Sequence, residues 1–142
     1  MKIFISGSLR NARVPIIGNR LREEGFDPFD DWYGAGMTAD QTWRDYEETR
    51  GRPYLEALYG RAATNIFDFD MRQMNEADVA LLVTPVGRSG CLEFGYMRGL
   101  GKPGFVLLDS KVGDGRWDLM FRIATAVFEE ENDLIETLRQ LL

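Results

Sequence analysis

The sequence predicts an open α/β fold, a five-stranded parallel sheet with flanking helices, and three observations carry that prediction. The first thirty residues read strand, turn, helix, strand, the unit from which parallel sheets are built. Two later runs, Asp78-Val79-Ala80-Leu81-Leu82-Val83-Thr84 and Gly104-Phe105-Val106-Leu107-Leu108, have the apolar, β-branched make-up of buried strands. Between them a small-residue turn, Gly87-Arg88-Ser89-Gly90, leads into a helical segment over 91–101.

The elements follow in order. Lys2-Ile3-Phe4-Ile5-Ser6 is a first buried strand that ends at Gly7-Ser8. Residues 13–24 carry helical apolar spacing (Val14, Ile17, Leu21) and stop at Gly25. Residues 26–29 form a short second strand. Residues 30–60 differ in character, being aromatic, charged and glycine-containing; they read as an elaborated loop over or beside the sheet edge. It carries a helix at 40–50 and a shorter one from Pro53 to Tyr59. A long helix over 62–77 leads into the Asp78 strand. Residues 104–109 are the fourth strand, 117–121 a short helix, 124–128 the fifth strand and 132–142 a terminal helix. With no internal repeat, low-complexity tract or linker, residues 1–142 read as one domain.

Composition narrows the chemistry. A chain of 142 residues with 44% hydrophobic and 28% charged residues fits one ordinary globular domain. A net charge of −6 argues against binding a nucleic-acid polymer, whose partners present a basic face. No run has the length of a membrane span, and no signal peptide precedes Lys2, so the expected location is cytoplasmic. There is no histidine and one cysteine. That excludes histidine triads, histidine bases, disulfides within the chain and thiolate metal clusters. Catalysis here must run on carboxylates, tyrosines, arginines, hydroxyls or Cys91.

Glu93 is the leading candidate. It falls near the start of the helix that follows a buried strand, where open α/β sheets place their ligands. A helix N-terminus there favours an ionised carboxylate, so a lowered pKa is expected. Ser89 is a good N-cap and puts Glu93 at the fourth helical position. A capping box would want glutamate at the third, which is Leu92. Gly7, Ser8 and Arg10 follow the first strand and can hold a phosphate or ribose, or form an ordinary tight turn. Asp70, on the helix before the third strand, is either a general acid or a solvated surface carboxylate. Trp32, just after the second strand, is placed to stack on a base; Trp43 reads as packing of the inserted region. Cys91 reads as a small buried residue, and Asp78 as a strand-start group outside the cleft.

Three blocks, KIFISGSLR, FDFDMRQMNEADVALLV and GRSGCLEFGYMRGLGKP, together resemble the nucleoside 2-deoxyribosyltransferase superfamily, which includes 2'-deoxynucleoside 5'-monophosphate N-glycosidases and hydroxymethyl-CMP hydrolases. The resemblance implies a flavodoxin-like (Rossmann-like) sheet and a small-molecule nucleoside or nucleotide substrate, with no cofactor and no metal. It implies that Glu93 attacks C1' of the sugar to give a glycosyl-enzyme, and that Asp70 protonates the departing base. Phosphate contacts carry to Gly7, Ser8, Arg10 and Ser89, with Gly90 in the same turn. Phe4 stands where many members place a tyrosine that orients the nucleophile, as it does in the hydroxymethyl-CMP hydrolase branch. Gly87 stands where the transferases often carry an aspartate, which favours hydrolysis over base exchange. A homodimer or higher assembly is implied, with the Met97 face and the Met71–Met74 face as contact surfaces. Base exchange, and a non-catalytic nucleotide-binding or signalling module, are the competing functions.

Overall fold

The computed structural model describes residues 1–109 and 117–142. Strands β1 (Lys2–Ser6), β2 (Asp27–Phe29), β3 (Val79–Val83), β4 (Gly104–Leu107) and β5 (Ala126–Phe128) form one parallel sheet in the order β2-β1-β3-β4-β5. The helices are α1 (Arg13–Glu23), α2 (Ala39–Thr49), α3 (Tyr54–Ala57), α4 (Arg61–Glu76), α5 (Arg88–Gly99) and α6 (Glu131–Gln140). Short 3-10 turns lie at Asp31–Ala35 and Leu119–Ile123. The five strands and the helical loop after β2 agree with the sequence reading, most boundaries moving by one or two residues.

Alternation along β1 sorts the core into two layers. Ile3 and Ile5 pack with Val14, Leu21, Leu134 and Leu138 of α1 and α6. Phe4 packs on the opposite face with Met74, Phe94 and Met97 of α4 and α5. Gly25 ends α1 with φ +86, the left-handed conformation that favours glycine after a helix. Lys102 Nζ donates to the carbonyls of Met74, Asn75 and Ala77 at 2.9, 2.6 and 2.5 Å. The lysine of the GKP segment therefore satisfies carbonyls at the end of α4 and ties it to the entry of β4.

Direction along the sheet positions the site. Asp78 accepts from the Lys2 amide at 2.8 Å, at the amino edge and away from the cleft, as the sequence indicates. The carboxyl edge holds Ser6, paired in register with Leu82. Chain order reverses between β1 and β3, so their carboxyl ends flank the crevice of an open sheet.

Candidate active site

The α5 helix begins at Arg88, three residues earlier than the sequence indicates, and Gly87 rather than Ser89 is its N-cap. Gly90, placed third in the helix, packs so close to the Gly7 turn that an added Cβ would lie 3.3 Å from Gly7 N and 3.4 Å from Gly7 O. This tertiary contact extends the helix through residues whose own preference is for a turn. Glu93 becomes the sixth helical residue, in the second turn. It shares the sheet-facing stripe of Gly90, Phe94 and Met97, and is therefore turned inward.

That orientation overturns the expected pKa. Glu93 is pushed up to about 7, first by burial and then by the Asp70 charge, while the Ser6 hydroxyl pulls in the opposite direction. Removal from water outweighs the helix N-terminus, whose influence fades beyond the first turn. Asp70 lies six residues before the end of α4, about 9 Å up the helix toward the carboxyl edge of the sheet. It shares the inward stripe with Met74, one turn below, and burial raises its pKa as well. The structure thus brings Asp70 and Glu93 together as two carboxylates in one partly desolvated cleft.

Ser6 is the site residue that sequence reasoning missed. It is completely buried, and its Oγ makes no hydrogen bond of normal geometry. Two residues beyond Phe4 on the same face of β1, it points toward Glu93. The available signal was a hydroxyl at the carboxyl end of a buried strand. Phe4 itself is 1% exposed and stacks on Phe29 with centroids 5.5 Å apart. Its ring lies in the core beneath the cleft and not on the cleft surface, contrary to the expected binding role, because the strand pleat aims it into the α4–α5 layer.

The Gly7 turn adjoins these groups. The Arg10 amide donates to Ser8 Oγ at 3.1 Å, and the Arg10 side chain is exposed. Asn11, also missed in the sequence, is buried: its Nδ2 donates to the Val83 and Pro85 carbonyls, each at 3.3 Å. It fastens the β1–α1 turn to the segment after β3. Ser89 and Arg88 are exposed in the first turn of α5, beside the Gly7 turn. The Trp32 indole donates to the Ile5 carbonyl at 2.8 Å, one residue beyond the last β1–β2 pair. It stands 3.7 Å from a Cβ built on Gly7, so it walls the turn with its N–H already engaged.

Cys91 is exposed, contrary to the expected burial, and partial desolvation together with Asp118 raises its pKa. Trp43 faces Tyr54 in the α2–α3 region and has no part in this cleft. Among the described residues, no group of three or more histidine, cysteine, aspartate or glutamate side chains is placed to hold a metal. No described helix is long and apolar enough to cross a membrane.

No protein-family model matches the chain, and no curated protein matches its sequence. Its structure is similar to the 2-deoxyribosyltransferase of Bacillus psychrosaccharolyticus, with a TM-score of 0.64 and 20% identity over 95% of this chain and 90% of that one. It is also similar to the CMP N-glycosidase BcmB of Clostridium botulinum, with a TM-score of 0.57 and 14% identity over 98% of this chain and 99% of that one. At these identities the likeness is one of fold, and it agrees with the Rossmann-like α/β sheet read from the sequence.

Proposed function

We propose that the chain belongs to the nucleoside 2-deoxyribosyltransferase superfamily and hydrolyses the base–sugar bond of a nucleoside 5'-monophosphate. The observation that carries this reading is the Asp70–Glu93 pair beside the Gly7 turn. N-glycosidic cleavage passes through an oxocarbenium-like state, which one carboxylate captures while an acid assists the leaving group. Glu93 attacks C1', the C1'–N bond breaks toward the base, and Asp70 gives the base its proton. Water, deprotonated by Asp70, then displaces the glycosyl group from Glu93 and releases the sugar phosphate.

The raised pKa of Glu93 is compatible with this division of labour. With its carboxyl pushed up to about 7, Glu93 exchanges its proton close to neutral pH, and the Asp70 charge couples the two groups. Positive charge developing at C1' favours the ionised form of Glu93 and leaves the proton to Asp70, next to the base. The backbone of Gly7, with Ser8, Arg10 and Ser89, receives the 5'-phosphate, and exposed Arg88 in the first turn of α5 adds a second guanidinium. Trp32 walls the base side.

Hydrolysis is favoured over transfer because Gly87, the N-cap of α5, brings no carboxylate to hold an acceptor base. The structural likeness to a deoxyribosyltransferase keeps base exchange as the second reading. A panel of nucleosides and monophosphates, incubated with and without a second free base, separates the two. Free base without a mixed nucleoside supports hydrolysis; a mixed product supports exchange. Absence of base release from every substrate, or release that survives Glu93→Ala, overturns the enzymatic reading.

A homodimer or higher assembly forms part of the proposal, but its surface differs from the one read in the sequence. Met97 and Met74 are 0% and 4% exposed, because their faces pack on the chain's own sheet. The exposed apolar side chains here are instead Ile66, Phe67 and Phe69 of α4, Leu92 of α5 and Leu100 just beyond its end. Sedimentation of a monomer at micromolar concentration would count against assembly.

A further inference from the structure

Between exposed Arg10 and exposed Ala12, Asn11 is 4% exposed, and each of its polar atoms is engaged. Its backbone amide donates to the Ser8 carbonyl at 2.9 Å, and its carbonyl accepts from the Val14 amide at 3.1 Å. Side-chain Oδ1 accepts from the Arg13 amide at 3.0 Å, while Nδ2 donates to the carbonyls of Val83 and Pro85. Those two carbonyls explain why an amide stands here. The ladder between β1 and β3 ends with Ser6 opposite Leu82, so no β1 residue continues alongside Val83. Asn11 supplies from its side chain the donor that a longer β1 would supply from its backbone. Without it the buried Val83 carbonyl would lose that partner.

The side chain therefore acts as a clasp. Ser8 and Arg10, which the proposed function sets on the 5'-phosphate, lie between two fixed points. One is Gly7, where an added Cβ would lie 2.7 Å from Val14 Cγ2 and 3.5 Å from the same Val83 carbonyl. The other is Asn11. Within the loop the Arg10 amide donates to Ser8 Oγ, so these two residues are also tied to each other. Helix α5 does not depend on the clasp, because Phe94 and Met97 fix it in the opposite core layer at 3% and 0% exposure. Opening the clasp frees the turn and leaves Glu93 where it is.

We propose that Asn11 is a positioning residue for phosphate recognition. Its side chain holds the Gly7–Arg10 turn preformed against β3, so a 5'-phosphate binds without having to order the loop. This role rests on the glycosidase reading, in which the phosphate sits on that turn. By linkage, a clasp that strengthens phosphate binding is strengthened by bound phosphate, and by the same factor.

Asn11→Leu keeps the side-chain shape and removes both N–H donors. With a nucleoside 5'-monophosphate from which the wild type releases base, KM should rise about tenfold while kcat stays within about threefold. The alkaline limb of the pH profile should not move. Calorimetry should show the Kd of a sugar 5-phosphate (ribose or 2-deoxyribose, whichever binds more tightly) rising about tenfold as well. In the wild type, saturating sugar 5-phosphate should slow hydrogen exchange of the Asn11 side-chain amide, read by NMR, by about tenfold. The same sugar without phosphate should leave it unchanged. The exchange measurement needs no variant, so it decides the matter if Asn11→Leu does not fold. An unchanged KM, a fall in kcat with a displaced alkaline limb, or exchange indifferent to bound sugar 5-phosphate would each overturn the role of Asn11 and leave the glycosidase reading standing. Absence of base release together with no binding of sugar 5-phosphate would overturn that reading, and this role with it.

Discussion

Glu93 and Asp70 face one partly desolvated cleft from adjacent helices, and burial, followed by the Asp70 charge, pushes the Glu93 carboxyl up to about 7. Two carboxylates this close titrate as a pair, with apparent pKa values that belong to both. The proposed mechanism needs the singly protonated pair. Below the lower apparent pKa both groups are protonated and no nucleophile is available. Above the upper one both are ionised and no acid is left.

kcat/KM should therefore trace a bell, with an alkaline limb near pH 7 and an acid limb above the ordinary aspartate range. Asp70→Asn removes both the acid and the negative charge acting on Glu93. The alkaline limb should vanish, the remaining rate should drop by about 10²–10⁴, and the surviving acid limb should lie below pH 7. An alkaline limb that persists in Asp70→Asn would show that the required proton lies elsewhere.

The same shift is a statement about stability. An ordinary glutamate in the unfolded chain titrates near about 4.3. Between that pH and about 7 the folded state holds the Glu93 proton more tightly than the unfolded state does, so stability falls as pH rises. Glu93→Gln keeps the shape and removes the charge. Above pH 7 it should be more stable than wild type by up to about 3 kcal/mol, several degrees in Tm. The gain should close toward pH 4. Thermal melts at pH 4.5 and 8 check it, and an equal difference at both pH values would contradict the burial of an ionisable Glu93.

Ser6 offers the only strand hydroxyl on the β1 face that meets Glu93, where Phe4 has none. Ser6→Ala removes a buried oxygen that makes no regular hydrogen bond, so its effect on stability should be small or favourable. Ser6 favours the ionised form of Glu93, so the alkaline limb should move upward, and kcat should fall by about tenfold. A pH profile superimposable on wild type would make Ser6 a packing residue only.

The fold was legible because its signals are local. Apolar strands and the Gly25 stop each act within a few residues. Asp70 and Glu93 were also legible, as carboxylates at helical positions near strand ends. What was not legible depends on contacts between distant segments. The start of α5 at Arg88 is set by the approach of Gly90 to Gly7, more than eighty residues apart. The pKa of Glu93 reverses direction because α4 and the sheet exclude water from it. The Asn11 bridge to Val83 and Pro85, and the Trp32 bond to Ile5, close over similar or shorter gaps that no periodicity records.

The two glycines of α5 that differ most in surroundings separate helix propensity from site geometry. A Cβ at Gly90 would lie 2.3 Å from Val86 Cγ2 and 3.3 Å from Gly7 N, whereas one at Gly95 meets nothing within 4 Å. Alanine improves a helix interior by about 1 kcal/mol relative to glycine at either position. At Gly90 that gain is opposed by overpacking of about 1–3 kcal/mol against a stiff β-branched side chain and the backbone of the Gly7 turn. Gly90→Ala should therefore change Tm by only a few degrees. It should still lower kcat/KM by about 10–100-fold, because displacing α5 shifts Glu93 relative to Ser6 and Asp70. Gly95→Ala should raise Tm and leave kcat/KM unchanged. Equal activities for the two variants would mean that the contact between Gly90 and Gly7 does not position Glu93.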